Sequence, residues 1–239
     1  MEGRKIGNLY SLDKAKDYYK LYGTEVESSS DLDRFFLSLI PESLDGKVAL
    51  DLGAGNGRHA ELLHNRGAER VIALDLSESM LQGAANRKRE KSLAHLDLVR
   101  TDIEKLPFEN QSIDYALSRF SVMYTKDLPK LMEKISNILK EDGEILIQAN
   151  VATIQNPEDK EKIQSAPVPL LLKIGDKSVE IQNYANTLED YFSAFQSAGL
   201  TIETQHQFPA DELSVNKGYE YAEGINFQYI VFRLKKNKE

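Results

Sequence analysis

The segment at residues 48–57, VALDLGAGNG, contains the residues of this chain whose types and spacing most clearly indicate chemistry. An apolar run ends at Asp51, glycines follow at Gly53, Gly55 and Gly57, and an apolar helical pattern begins soon after. This order predicts a strand, a tight glycine turn and a helix start. Glycine lets the backbone approach a ligand closely, and a helix start adds unpaired N–H groups that point at it. The segment therefore predicts a cradle for part of a nucleotide-like cofactor.

The spacing of the glycines restricts the kind of cofactor. The dinucleotide fingerprint is G-x-G-x-x-G, whereas here the spacing is G-x-G-x-G and Arg58 stands where the third glycine would be. No Gly-Lys-Ser/Thr follows, which excludes a phosphate-binding P-loop. An acid shortly before the glycines would repel a pyrophosphate, so Asp51 favours a ligand with a cationic amino group near the turn.

Two further acids follow predicted strands. The apolar run at residues 71–74 ends in Asp75, and an acid at the end of a second strand typically accepts hydrogen bonds from ribose hydroxyls. A third predicted strand at residues 98–101 ends at Asp102. The carboxylate of Asp102 is suited to accept a hydrogen bond from the amino group of an adenine. The backbone N–H of Ile103 can then reach a nitrogen of the adenine ring.

Strands that alternate with helices predict a mostly parallel, doubly wound α/β sheet with helices on both faces. Ligands of such sheets lie beyond the carboxyl ends of the strands. Five residues are predicted to lie at strand ends on that rim: Asp51, Asp75, Asp102, Ser118 and Arg119.

The chain is predicted to be a single domain over residues 1–239, in three parts. Residues 1–40 form a helical lead, with a helix-capping signal at residues 28–31. Residues 41–150 form the alternating core. Residues 151–239 contain a helix at 188–198 and two late strands at 201–205 and 227–234.

The segments 166–172 and 174–181 have two open interpretations. They form either an insertion over a substrate pocket or a structural connection. Three aromatic residues, Tyr219, Tyr221 and Phe227, are candidates for walls of that pocket.

The chain resembles the class I S-adenosylmethionine (SAM)-dependent methyltransferases over residues 47–149. Four segments carry the resemblance: residues 50–57, 73–81, Asp102 with 106–108, and 139–146. The resemblance implies a Rossmann-like, seven-stranded sheet whose last strand, at 227–234, is antiparallel. Ala54 departs from the family, where cysteine or threonine is common, but the backbone makes the contacts there.

The resemblance also implies SAM as the cofactor and a set of residues that hold it. The implied cofactor contacts are Tyr19, Asp51, Gly53, Ala54, Gly55, Asp75, Leu76, Met80, Asp102, Ile103, Ser118 and Arg119. Tyr124 aligns with a position often held by histidine in related enzymes, so it is the candidate catalytic residue. Its alternative role is packing, and Tyr19 would cover the methionine end of the cofactor.

Composition limits the other functional classes. The 239 residues include no cysteine, which excludes disulfides and thiolate metal sites, and the histidines lack metal-ligand spacing, so no metal is predicted. The net charge of −8 disfavours a large nucleic-acid surface. No apolar run of about 18 residues and no apolar signal core is present, which predicts a cytoplasmic protein without a membrane span.

A small-molecule methyl acceptor, attacked at its N, O or C nucleophile, is the favoured prediction. The alternatives are an RNA or protein methyltransferase, a noncatalytic SAM-fold binding protein, and a Rossmann oxidoreductase, which the glycine spacing disfavours. The acceptor's identity and the oligomeric state stay open.

Overall fold

The computed structural model describes residues 30–154, 158, 167–174, 177–209, 219–220 and 225–238. Tyr19, Tyr221 and most of the predicted helical lead therefore lie outside the described residues. Ten strands are formed within these ranges: β1 (Val48–Leu52), β2 (Arg70–Asp75), β3 (Leu96–Arg100), β4 (Ile113–Arg119), β5 (Leu139–Ile154), β6 (Val168–Ile174), β7 (Lys177–Asn183), β8 (Leu200–Phe208), β9 (Tyr219–Glu220) and β10 (Ile225–Lys236).

Seven of the strands form one sheet in the order β3-β2-β1-β4-β5-β10-β8. The first five positions of this order are joined by parallel pairings, whereas β10 runs antiparallel to both of its neighbours. The predicted seven-stranded sheet with an antiparallel last strand is therefore confirmed. The carboxyl ends of β1, β2, β3, β4 and β5 all lie at one edge of the sheet.

Five α-helices and a short 3-10 helix connect the strands in the described ranges. They are α1 (Asp31–Ser38), α2 (Arg58–Asn65), α3 (Glu78–Glu90), the 3-10 helix (Val122–Tyr124), α4 (Leu128–Ile138) and α5 (Leu188–Ser197). Side chains cap several starts, as polar residues before apolar runs predict. The Ser30 hydroxyl accepts from the Asp33 N–H at 3.1 Å, and Thr187 with Asp190 forms a capping box.

Alternation of side chains along the strands builds a core on each face of the sheet. In β1, Leu50 and Leu52 pack into the core that includes residues of α4 and α5. Ala49, which points to the opposite face, packs into the core that includes residues of α1 and α2. The predicted helices on both faces are confirmed.

Residues 141–143, whose sequence Glu-Asp-Gly is typical of a turn, lie within a continuous β5. Asp142 has φ +61°, and the pairing with β4 shifts register between Ile113 and Tyr115. These turn-forming residues therefore produce an irregularity within the strand and do not end it.

The two segments with open interpretations form strands. β6 and β7 are an antiparallel pair, and β6 also pairs with β9 in a second, three-stranded sheet. No helix in the described ranges is long and apolar enough to span a membrane.

Candidate active site

Three glycines shape the turn between β1 and α2, and each has a left-handed backbone with φ between +54° and +77°. A Cβ added at Gly53 would meet the Ser121 Cβ at 2.4 Å, and one at Gly57 would meet the Ala84 Cβ at 3.1 Å. No described atom lies within 4 Å of a Cβ added at Gly55. Gly53 and Gly57 are therefore required for close packing, whereas Gly55 borders open space where a ligand can approach.

Asp75 holds this turn against the start of α3. One carboxylate oxygen accepts from the Gly55 N–H at 2.8 Å, and the other accepts from the Ser77 N–H at 2.8 Å. Burial raises the pKa of Asp75, and the N–H groups of Ser77 and Gly55 act in the opposite direction. Since each carboxylate oxygen has two lone pairs, Asp75 keeps the capacity to accept further hydrogen bonds.

Asp51 is buried at the end of β1, and its Oδ2 has no hydrogen-bond partner among the described residues. Burial and the neighbouring charge of Asp75 raise the pKa of Asp51 to about 7, while the Ala60 N–H lowers it. An unpartnered buried polar group costs about 1–3 kcal/mol, and more when it is charged. A cationic group at this point would therefore be bound strongly.

The remaining predicted contacts on the cofactor side lie close to the same edge. Leu76 follows Asp75 and is half-buried, while Met80 is buried near the start of α3. The Thr101 N–H donates to the Asp75 carbonyl at 3.2 Å, which brings the loop after β3 beside the end of β2. In that loop Asp102 accepts from the Glu104 N–H at 3.0 Å, and Ile103 is half-buried.

Ser118 lies in the interior instead of on the open rim. Its side chain is fully buried, with its Oγ 2.6 Å from the Ser121 Oγ. Ser121 in turn donates to the Leu52 carbonyl at 2.6 Å, so the Ser118 hydroxyl donates to Ser121. These bonds join β4 to β1 beneath Gly53, and they leave the Ser118 hydroxyl only as an acceptor.

Arg119 joins four elements. Its Nε donates to the Gln148 Oε1 at 2.9 Å, one terminal nitrogen lies 3.4 Å from the His59 Nε2, and the other forms an ion pair with Asp33. The guanidinium also lies 5.6 Å from the ring centroid of Phe36, within cation–π range.

His59 contributes to this network as a neutral ring. Burial and the charges of Arg58 and Arg87 lower the pKa of His59 to about 3. A neutral imidazole has one acceptor nitrogen, so the His59 Nε2 accepts from Arg119 and its Nδ1 carries the proton.

No sequence pattern indicated that Asp33, His59 and Gln148 belong to the site. They lie 86, 60 and 29 positions from Arg119, respectively, so no local spacing signals their association.

Tyr124 ends the 3-10 helix that follows β4, and its side chain is half-buried. Two contacts position its surroundings. The Tyr184 N–H donates to the Met123 carbonyl at 3.3 Å, and Thr125 donates to the Glu104 carboxylate at 2.6 Å. Tyr124 therefore lies on a segment bracketed by the loop after β3 and the loop before α5. Within the described ranges, no group of three or more metal-ligating side chains is close enough to hold a metal ion.

Comparison with known proteins agrees with this geometry. Residues 50–147 match the model of a family described as the methyltransferase domain. A demethylmenaquinone methyltransferase from Thermobifida fusca is 32% identical over 106 residues, which are 44% of each chain. The chain spans about half or less of the length of other curated relatives that it matches.

Solved structures share the fold at low sequence identity. A SAM-dependent methyltransferase from Mesorhizobium loti has a TM-score of 0.63 at 17% identity, over 87% of this chain and 99% of that chain. The [4+2]-cyclase SpnF has a TM-score of 0.69 at 16% identity, over 98% of this chain and 96% of that chain.

The sheet order and the rim acids define a Rossmann-like fold of the methyltransferase kind. Residues 50–147 match the methyltransferase domain family, and the sheet has the fold of class I SAM-dependent methyltransferases. The predicted resemblance is thereby confirmed over residues 50–147, and SAM is the cofactor of that family.

Proposed function

We propose that this protein transfers the methyl group of SAM to an N, O or C nucleophile of a small molecule. Two observations within the described residues carry the proposal: the Asp51 Oδ2 before the glycine turn is buried without a hydrogen-bond partner, and Gly55 in that turn borders open space. An acid and an uncrowded backbone turn suit the cationic amino group and the methionine portion of SAM. The relative from T. fusca supports a small acceptor, since its name gives demethylmenaquinone as the molecule methylated.

The residues that would hold the cofactor divide by the part that they contact. Asp51 would bind the amino group, the backbone at Gly53, Ala54 and Gly55 would line the methionine portion, and Asp75 would accept from the ribose. For the adenine, Asp102 would accept from the amino group and the Ile103 N–H would donate to the ring. The remaining proposed contacts are Leu76, Met80, Arg119 and Tyr19, whereas the fully buried Ser118 would support the turn without touching the cofactor.

SAM supplies an electrophilic methyl group on a sulfonium, so the protein has to align a nucleophile and exclude water. Tyr124 is the residue that we assign to this task, as an orienting group or as a proton acceptor for the nucleophile. Its position after β4, at the ligand edge of a doubly wound sheet, supports the assignment.

The alternative acceptors are RNA and protein. A basic or extended surface would be needed for them, and the net charge of −8 makes such a surface less favourable. A cyclase with this fold also exists, so the fold alone does not decide whether a methyl group is transferred. The proposal further includes a cytoplasmic location.

Isothermal titration calorimetry with SAM and with NAD tests the cofactor part of the proposal. We expect SAM to bind and NAD not to bind, because the glycine spacing lacks the dinucleotide pattern. Binding of NAD, or no binding of SAM by the folded protein, would refute it.

A further inference from the structure

A row of polar side chains crosses one face of the sheet at the carboxyl ends of its strands. Asp51 in β1 pairs with Leu117, Arg119 in β4 pairs with Gln148, and Asn150 in β5 pairs with Tyr229. Paired residues point to the same face, and Leu117 and Tyr229 belong to the core on the α1 and α2 side. The row therefore begins at the cofactor cradle and continues on that face to β5.

Two amide side chains of this row are buried with unused hydrogen-bonding atoms. Gln148 is 0% exposed and Asn150 is 6% exposed. Among the described residues, no partner is found for the Gln148 Nε2 or for the Asn150 Oδ1. Buried amides normally have partners, so two neighbouring exceptions at a ligand edge indicate that a bound molecule completes them.

The orientation of Gln148 is determined by the protein. Its Oε1 accepts from the Arg119 Nε at 2.9 Å, and Arg119 is held by Asp33 and lies against His59. The amide therefore directs its nitrogen, a donor, away from Arg119. Asn150 lies two residues further along the strand, about 7 Å away, and offers an acceptor.

Resting on the proposed methyl transfer, we propose that Gln148 and Asn150 bind the methyl acceptor, and that this acceptor is an uncharged molecule. It would present a hydrogen-bond acceptor to Gln148 and a donor to Asn150, as an alcohol, a phenol or a carboxamide does. The charges within the row support a neutral ligand, because Arg119 is the cation of the row and the ion pair with Asp33 neutralises it. An anionic acceptor would have no unneutralised cation to meet in this row.

The test uses the whole protein with saturating S-adenosylhomocysteine and a panel of small alcohols, phenols and carboxamides, with carboxylates of matched size. Ligand-observed NMR measures which members bind. We expect neutral members to bind and their carboxylate counterparts to bind at least tenfold more weakly. Stronger binding of the carboxylates, or no binding of any member, would overturn the proposal.

Two variants separate binding from structure. Gln148→Glu keeps an oxygen for the Arg119 Nε but removes the donor, and Asn150→Leu removes the acceptor. Each should weaken binding of the neutral ligands at least tenfold. Asn150→Leu should leave the melting temperature unchanged or raised, because it removes an unpartnered buried polar group.

Gln205→Glu and Asn137→Leu make the same changes at exposed positions and should have no effect. All four variants should bind S-adenosylhomocysteine within twofold of the unmodified protein. A variant of Gln148 or Asn150 that binds the neutral ligands normally, or that melts early and loses S-adenosylhomocysteine as well, would contradict the assignment. Failure of the unmodified protein to bind S-adenosylhomocysteine would instead refute the proposed function.

Discussion

The two halves of the candidate active site are built in different ways. The cofactor half, from β1 to the start of α3, is made largely of backbone: a glycine turn, its N–H groups and two strand-end acids. The proposed acceptor half, around β4 and β5, is made of side chains from α1, α2, β4 and β5, which meet at Arg119. One half is formed by residues near one another in the chain, and the other depends on the assembled fold.

This difference separates what the family shares from what an individual member acts on. A cradle made of backbone tolerates changes of side chain as long as its glycines and acids remain. Different members of a family can therefore keep the same cradle and bind the same cofactor. Side chains on β4 and β5 can change without disturbing that cradle, and they can therefore adapt to different acceptors. Variants that affect one half and not the other test this division.

The largest expected effect is that of Gly55→Val on the cofactor half. The added side chain would fill the open space at the turn, so SAM binding should be abolished. Gly46→Val is the matched control, because Gly46 also has positive φ and no described atom within 4 Å of an added Cβ, but it lies before β1. Both variants should lose about 1–2 kcal/mol of stability from left-handed strain. Normal SAM affinity of folded Gly55→Val in calorimetry would show that the turn is not the cradle.

In the acceptor half, Tyr124→Phe has the next largest expected effect. If the Tyr124 phenolate is the general base that takes a proton from the nucleophile and becomes a phenol, the turnover rate should fall about 10²- to 10⁴-fold while SAM affinity stays constant. If it only positions the acceptor, the Michaelis constant should change more than the turnover rate. Tyr115→Phe, at the buried amino-terminal end of β4, is the control. Steady-state kinetics that are unchanged for Tyr124→Phe would leave Tyr124 with a packing role only.

Asp75→Ala should weaken SAM binding by about 1.5–3 kcal/mol, the loss expected for hydrogen bonds to a charged group. The variant also removes the two bonds from Gly55 and Ser77, so the melting temperature should be measured alongside. Asp97→Ala, which removes a partly exposed carboxylate of β3, should leave SAM affinity unchanged. Equal affinities of the two variants in calorimetry would exclude Asp75 from the cofactor half.

In the absence of cofactor, Asp51→Asn should increase the free energy of unfolding. The increase should be about 2 kcal/mol larger at pH 8 than at pH 5. The pKa of Asp51 is raised to about 7 in the folded protein, above its ordinary value near 4. The cost of ionising it is therefore absent below about pH 4, grows between pH 4 and 7, and is complete above pH 7. Urea unfolding at the two pH values measures the difference, and SAM binding should weaken at both. If the variant and the unmodified protein differ in free energy of unfolding by the same amount at both pH values, the raised pKa of Asp51 is contradicted.

The cofactor half could be predicted from sequence because each of its signals is local. The strand, the acid near its end and the glycine spacing are adjacent in the chain, and Asp75 follows its own apolar run directly. The sheet order followed from the family resemblance and from the late apolar strand that became β10.

The acceptor half could not be predicted in the same way. Ser118 looked like a rim residue, but its hydroxyl is committed to Ser121 beneath Gly53, which only the packing of β4 on β1 decides. Gln148 and Asn150 occupy positions of a buried strand where apolar residues are typical, and Arg119, which orients Gln148, lies 29 positions away in the chain. The start of β5 also cannot be read from local sequence, because Asp142 and Gly143, which are typical of a turn, form an irregularity inside the strand.

One measurement tests methyl transfer to a small molecule most directly. The purified protein is incubated with methyl-labelled SAM and fractionated cell extract, and the label is followed into small molecules, RNA and protein. We expect label in a small-molecule fraction, with the Gly55→Val variant as the inactive control. Label that enters RNA or protein, or no transfer by protein that binds SAM, would contradict the account.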